Sequence, residues 1–285
     1  MAFSAVFTNA NGLSVNLTDN VNIFTPVGMD GELAPPFGFQ EQSSPLIPGS
    51  VVTAIYVTPR SLAWPLIIRD TDREALLARI RGILSILNPQ LGDGQLLVTN
   101  GSNSRVLFCR YRGGFSAINE SQGITTTRQV ITFYAADPFW YAPSPTELTA
   151  QQNFAPPNFF PVLPITLATS SMETVAALEN GGDVPAYPVI TILGPATSVI
   201  VTNTTTGKLV EIDSSIAAGE TITIDARPRT RSVRDQDGIN QFSLLTPDSS
   251  MWPLEVGTNS ITIEISGGDT NTEVTVSYTP AYLTV

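Results

Sequence analysis

Ile261-Thr-Ile-Glu-Ile-Ser-Gly-Gly-Asp-Thr-Asn-Thr-Glu-Val-Thr-Val-Ser-Tyr278 is the stretch that decides the fold class. Ile261, Ile263 and Ile265 alternate with Thr262 and Glu264, and Val274, Val276 and Tyr278 alternate with Thr275 and Ser277. Successive side chains of a strand point to opposite faces, so this period of two predicts two strands, each with one buried face. Ser266 to Asn271 supplies the glycines and Asp/Asn that a tight turn needs, and reads as a hairpin loop. The same logic joins 198–202 to 208–212 through Asn203-Thr-Thr-Thr-Gly207. Residues 146–285 therefore read as a meander of short strands, most simply a β-sandwich.

Working toward the N-terminus, six prolines between Ala142 and Pro164 (143, 145, 156, 157, 161 and 164) mark a linker or irregular edge, because proline cannot donate to a ladder. With 285 residues available, the expected division is 1–145 and 146–285. The first part contains one convincing helix, over about 72–88. Thr71 and Glu74 have capping-box spacing, Leu76, Leu77, Ile80, Ile83, Leu84 and Leu87 share one face, and Asn88-Pro89 ends it. Arg73, Arg79 and Arg81 leave the other face wet, as suits a helix laid over a sheet. A second proline- and glycine-rich stretch, Thr25 to Pro48, reads either as a long loop or as an arm reaching a neighbouring subunit.

Composition narrows the function classes. Histidine is absent, which removes the commonest general base, the commonest zinc ligand and the Ser-His and Cys-His nucleophile pairs. The single cysteine, Cys109, lies in an apolar strand-like run and reads as a buried structural residue. The expectation is a protein that is not an enzyme and uses no cofactor. Charged residues are 14% of the chain, against roughly 25% in ordinary soluble domains, which suits a protein that covers much of its surface with partners. The net charge of −11 sits almost wholly in residues 146–285 and argues against nucleic-acid binding. No basic leader or long apolar run is present, so neither secretion nor a membrane span is expected.

Candidate sites are few. Arg227, Arg229 and Arg231 alternate along an expected strand, joined by Arg234, as a basic row for a carboxylate, glycan or phosphate, or else as a solvated edge-protecting face. Asp235-Gln-Asp237-Gly238 has the centre of a calcium loop, but Val233 and Leu244 would occupy its first and last ligand positions, so it reads as a hairpin turn. Phe139 and Trp140, in Ala136-Asp-Pro-Phe-Trp-Tyr141, pack either beneath a domain junction or in the core of one domain.

Several strings taken in order resemble the distal tail proteins, minor tail proteins of phages with long flexible tails, and look closest to forms from phages of actinobacteria. In the first half they are the helix from Leu76 to Leu87, a following β-hairpin region, and Ala136 to Tyr141. In the second they are Asn180-Gly-Gly-Asp-Val-Pro-Ala-Tyr-Pro-Val-Ile-Thr-Ile-Leu-Gly-Pro195, Ala218-Gly-Glu-Thr-Ile-Thr-Ile-Asp225, and Trp252-Pro-Leu with Glu255 to Ile263. The resemblance implies a mainly β protein of two β-sandwich-type domains, the first with one helix and a belt-like hairpin, the second galectin-like. It also implies a hexameric ring at the virion tail tip, built from chains made in the host cytoplasm. Its partners would be the tail tube protein and the tail hub or fibre-bearing protein, with the genome passing through unbound. The alternative from the same second half is a carbohydrate-binding module using Trp252, Tyr187 and Tyr278 as a platform, although the galectin-type histidine is missing.

Overall fold

The structure, a computed structural model, describes residues 3–26, 29–45, 47–116, 124–151 and 171–285. The chain divides into one unit of Met1–Pro143 with Tyr282–Val285, and a second of Ser144–Ala281.

The first unit holds β1 (Ser4–Thr8), β2 (Ser14–Asn16), β3 (Ile23–Phe24), β4 (Phe37–Ser44), β5 (Ile47–Val57), β6 (Arg60–Arg69), α1 (Arg73–Ile86), β7 (Gly94–Asn100), β8 (Asn103–Gly113), β9 (Thr126–Ala135) and β10 (Trp140–Tyr141). Its main sheet runs β2-β1-β7-β8-β9-β6-β3. Strand β8 is shared: Asn103 to Cys109 pair with β7, and Arg110 onward pair with β9, with a register shift between Tyr111 and Gly113. A strand that changes partners across such an irregularity turns a corner. The sheet thereby folds over its own core, and Phe7 of β1 stacks on Phe133 of β9 at 5.3 Å although the two strands are not neighbours. Leu62, Trp64, Leu66 and Ile68 of β6 fill that core by alternation, and Leu76, Ile80 and Ile83 of α1 close it, followed by Leu87.

The helix lies where its periodicity puts it, but its cap differs. Asp72 is the N-cap, its side chain accepting from the Ala75 amide at 2.9 Å, while the Thr71 hydroxyl donates to the Asp72 carboxylate at 3.2 Å. A carboxylate at the positive helix end outcompetes a hydroxyl as the acceptor. At the other end Asn9, buried in the β1–β2 turn, donates to the orphan carbonyl of Ile86 at 3.2 Å.

The proline-rich stretch from Thr25 to Pro48 is not a loop throughout. Its second half is β4, which pairs antiparallel with β5 to make a separate two-stranded ribbon. Pro35 and Pro36 fall just before β4, and Pro48 is tolerated because each strand of a two-stranded ribbon has a free edge. The hairpin after the helix, β7–β8, is present as expected.

The second unit holds β11 (Thr146–Gln151), β12 (Ser171–Asn180), β13 (Val189–Leu193), β14 (Ser198–Asn203), β15 (Lys208–Ile212), β16 (Thr221–Asp225), β17 (Ser232–Asp235), β18 (Gly257–Ser266) and β19 (Glu273–Tyr278); a short β20 (Ala281–Tyr282) follows. Two sheets, β11-β19-β13-β16-β17 and β12-β18-β14-β15, share one core. Ile190, Ile192, Ile222, Ile224, Val274 and Val276 come from the first sheet, and Val199, Val201, Ile261, Ile263 and Ile265 from the second. Each fully buried side chain of this kind contributes roughly 1.5–3 kcal/mol, so the alternation noted in the sequence is what builds the sandwich.

Three local expectations are corrected. Strands β18 and β19 each alternate as expected but belong to different sheets, so Ser266 to Asn271 is a crossover and not a hairpin, and the order is not a meander. Both inward faces are apolar, and sending the two strands to opposite sheets buries them against each other. The Asn203–Gly207 hairpin, by contrast, forms between β14 and β15. Finally, Thr146 to Gln151 within the expected linker is a strand paired to β19, with Pro143 and Pro145 just before it. The remaining prolines of that stretch (156, 157, 161 and 164) lie outside the described residues.

Candidate assembly surfaces

The ribbon is the most exposed apolar element of the first unit. Phe37 pairs with Val57 and Phe39 with Ile55 across the two strands, so these four side chains share one face near the base. Phe39 and Ile55 are 55% and 62% exposed, and Phe37 is 51% exposed. On the other face the ring of Tyr56 lies over Gly38, so close that a Cβ there would be 2.5 Å from the ring. That packing stiffens the pair while leaving the Phe37–Phe39–Ile55 face bare. The base is tied by Thr58, whose amide and hydroxyl both donate to the Pro36 carbonyl, at 2.9 and 3.1 Å.

Beside the base lies Arg60, which is fully buried. Its guanidinium donates to the carbonyls of Gly31 (3.1 Å), Glu32 (2.7 Å) and Leu283 (2.7 Å). Burial pulls its pKa down from 12.5 to about 10. Trp140, also fully buried, donates its indole NH to the same Glu32 carbonyl at 3.3 Å, and its ring centre is 5.8 Å from the Arg60 guanidinium carbon. Trp140 is thus core of the first unit and offers no face to a partner; Phe139 is half-buried.

The arginine row is rearranged. Arg227, Arg229 and Arg231 lie in the turn between β16 and β17 and not on a strand. Asp225 shapes this turn: it accepts from the Arg227 amide, the Arg227 guanidinium (2.9 and 2.7 Å) and the Thr230 hydroxyl (2.7 Å), and Pro228 forbids ladder pairing inside it. Burial pushes the Asp225 carboxyl up, but these hydrogen bonds outweigh it and hold the carboxyl below its ordinary 3.8. Arg234 lies on β17 and donates to the Gly238 carbonyl at 2.9 Å, so Arg227 and Arg234 are each held in a local turn and the four arginines do not alternate along one strand. Asp235 accepts from the amides of Asp237 and Ile239 and from Gln241, which makes Asp235 to Gly238 the expected turn.

The aromatic platform suggested for a sugar is mostly internal. Trp252 and Tyr278 are buried in the core of the sandwich, and the Tyr278 hydroxyl donates to the Glu179 carbonyl at 2.7 Å; Tyr187 is half-buried. Cys109 is fully buried, and burial, reinforced by the nearby Asp93, pushes its thiol far above the ordinary range. Among the described residues no helix is long and apolar enough to cross a membrane.

The resemblance implied a belt-like hairpin without placing it; what residue-by-residue reading missed is the ribbon at β4–β5 and Arg60 as its anchor. The β-branched and aromatic run Val51-Val-Thr-Ala-Ile-Tyr-Val57 was a usable signal, but prolines on both sides masked it.

Comparison with known proteins gives the following. Residues 181–282 match the family described as siphovirus-type tail component, C-terminal domain. The fold matches the Dit (gp 19.1) protein of phage SPP1, described as a paradigm of the hub adsorption apparatus in phages infecting Gram-positive hosts, with a TM-score of 0.69, 16% identity, and coverage of 99% of this chain and 100% of that one. It also matches a chain of the phage P2 baseplate in its calcium-activated conformation, with a TM-score of 0.50 and 10% identity over 95% of this chain and 99% of that one. No curated protein matches. By sequence over residues 181–282, and by fold over nearly its whole length, the chain is therefore similar to the siphovirus-type tail components represented by SPP1 Dit.

Proposed function

We propose that the protein is a structural component of the tail tip of a long-tailed phage, and that copies of its first unit join head to tail into a hexameric ring. The ring links the tail tube to the hub or fibre-bearing proteins and leaves a channel through which DNA passes without being bound. Function rests on shape and mutual contact and not on a reactive side chain.

The observation that carries this reading is the bare apolar face of the β4–β5 ribbon, on a chain whose fold matches SPP1 Dit. A contiguous apolar face of this kind needs a cover, and both ribbon strands have a free edge. A ribbon that lies on a different surface of its neighbour makes a heterologous contact, which closes into a ring where the rotation per copy allows. The low charge of the chain fits a surface used for contact.

Light scattering and electron microscopy of the purified protein test the proposal. The expected result is a mass of six copies with ring-shaped particles. Phe39→Asp combined with Ile55→Asp should return a monomer that keeps its melting temperature, since both side chains are exposed. A ring unaffected by that double change, or a strict monomer of the intact chain at high concentration and in the presence of its tube protein, sinks the proposal.

A further inference from the structure

The two legs of the ribbon and a distant piece of chain meet at one side chain. The incoming leg passes Asp30, Gly31 and Glu32 before β4; Asp30 and Ala63 exchange backbone hydrogen bonds of 3.1 Å, which lays this leg against β6. Gly31 has φ +85°, and a Cβ there would lie 2.3 Å from the Ser61 carbonyl, so the approach is as close as glycine permits. The outgoing leg leaves β5 through Thr58 and Pro59 and arrives at Arg60. The buried Arg60 guanidinium then reaches back to the incoming leg, at the Gly31 and Glu32 carbonyls, and forward to Leu283.

Leu283 belongs to a segment, Tyr282–Val285, that packs with the first unit although it follows the whole second unit in sequence. Arg105 holds the same segment, its guanidinium carbon 3.7 Å from the centre of the Tyr282 ring. A buried guanidinium is costly wherever its donors lack acceptors; among the described residues those of Arg60 are three backbone carbonyls, and its Nε has none. Removing the Leu283 carbonyl leaves a buried NH₂ group without its acceptor beside the root of the ribbon.

We infer that Arg60 is a clasp through which Tyr282–Val285 fixes the base of the β4–β5 ribbon, so that a chain becomes competent to join its neighbours only after the second unit has been made. This deepens the ring proposal and rests on it for its consequence. The clasp itself is a property of the single chain. Synthesis runs from the N-terminus, so the Gly31 and Glu32 acceptors are present early and the Leu283 acceptor arrives last. Until then the base is held by the Thr58–Pro36 and Asp30–Ala63 bonds, by Arg60 on Gly31 and Glu32 and by the ribbon's own ladder, and lacks the bond to Leu283.

Hydrogen–deuterium exchange of the full protein is the test, read at the Asp30 and Thr58 amides and along β4 and β5. A variant ending at residue 281, and separately Arg60→Lys, should accelerate exchange there by about ten- to a hundred-fold, the loss of one hydrogen bond to a charged group. Lysine keeps the charge but cannot reach three separated carbonyls. Amides of β13 and β16 in the second unit should be unchanged. Tyr282→Ala, which retains the Leu283 carbonyl but loses the Arg105 stack, should give a smaller change at the same amides. Unchanged exchange at Asp30 and Thr58 in the shortened chain overturns the clasp. So does acceleration spread evenly over α1, β6 and β9 in all three variants, which would make the segment an ordinary part of the core. Exchange is read on monomer, so a failure of the intact chain to form a ring sinks the ring alone; where the ring forms, the shortened chain should fail to enter it.

Discussion

Asp225 shows how much local structure one side chain can organise. Only 10% of its side chain is exposed, and it gathers an amide, a guanidinium and a hydroxyl into the β16–β17 turn. Its carboxyl is held below the ordinary 3.8 in the folded protein, so the stabilisation it provides is fully present above about pH 3.8 and is lost as pH falls through the lower folded value. Asp225→Asn should therefore destabilise the second unit at pH 7 by about 1.5–3 kcal/mol. The gap from the parent protein should narrow steadily below pH 3.8, as followed by urea melts between pH 7 and 3. Gly114 is a second position of this kind: its φ is +121° and a Cβ would lie 2.0 Å from the Val130 carbonyl. Gly114→Ala is expected to cost the first unit about 1–3 kcal/mol, seen as a lower urea midpoint.

The helix and the ribbon are opposite kinds of element. Helix α1 is stabilised from within the unit, by its cap and its buried face. Asp72→Ala should cost about 0.5–2 kcal/mol, whereas Thr71→Ala should cost less because its hydroxyl bonds the Asp72 carboxylate and not a helix amide. Comparing the two urea midpoints separates a single aspartate cap from a Thr-Glu capping box. The ribbon buries little of its own surface, and an isolated two-stranded ribbon is marginal in water. Its order depends on Tyr56 over Gly38, on Thr58 at the base and on Arg60 beside it.

At the scale of the whole molecule, the chain is poor in charge, and its exposed ribbon is apolar. Assembly through such a face should be insensitive to salt, because only interactions between exposed charges are screened as the Debye length shrinks from about 10 Å at 0.1 M to about 3 Å at 1 M. The oligomer mass by light scattering is expected to be the same at both ionic strengths; dissolution at high salt would point to a charged interface instead. Arg227 is engaged with its own turn through Asp225, and the proposed contact is the ribbon and not this turn, so an Arg231→Ser variant should leave that mass unchanged as well.

The sequence by itself determined the elements whose signal is local. Alternation in 261–265 and 274–278 announced strands, the spacing from Leu76 to Leu87 announced the helix, and Asn203 to Gly207 announced a hairpin. These follow from side-chain period and turn chemistry, which need no distant partner. Only the tertiary structure decided that β18 and β19 go to different sheets, because period two says which face is buried and not against what. It decided likewise that Trp140, Trp252 and Tyr278 are core, since an aromatic in a strand fits an interface as well as an interior. The joining of Gly31, Arg60 and Leu283 was beyond any local reading: Arg60 and Leu283 alone are separated by 223 positions, and only the path of the folded chain brings the carbonyl of one to the guanidinium of the other.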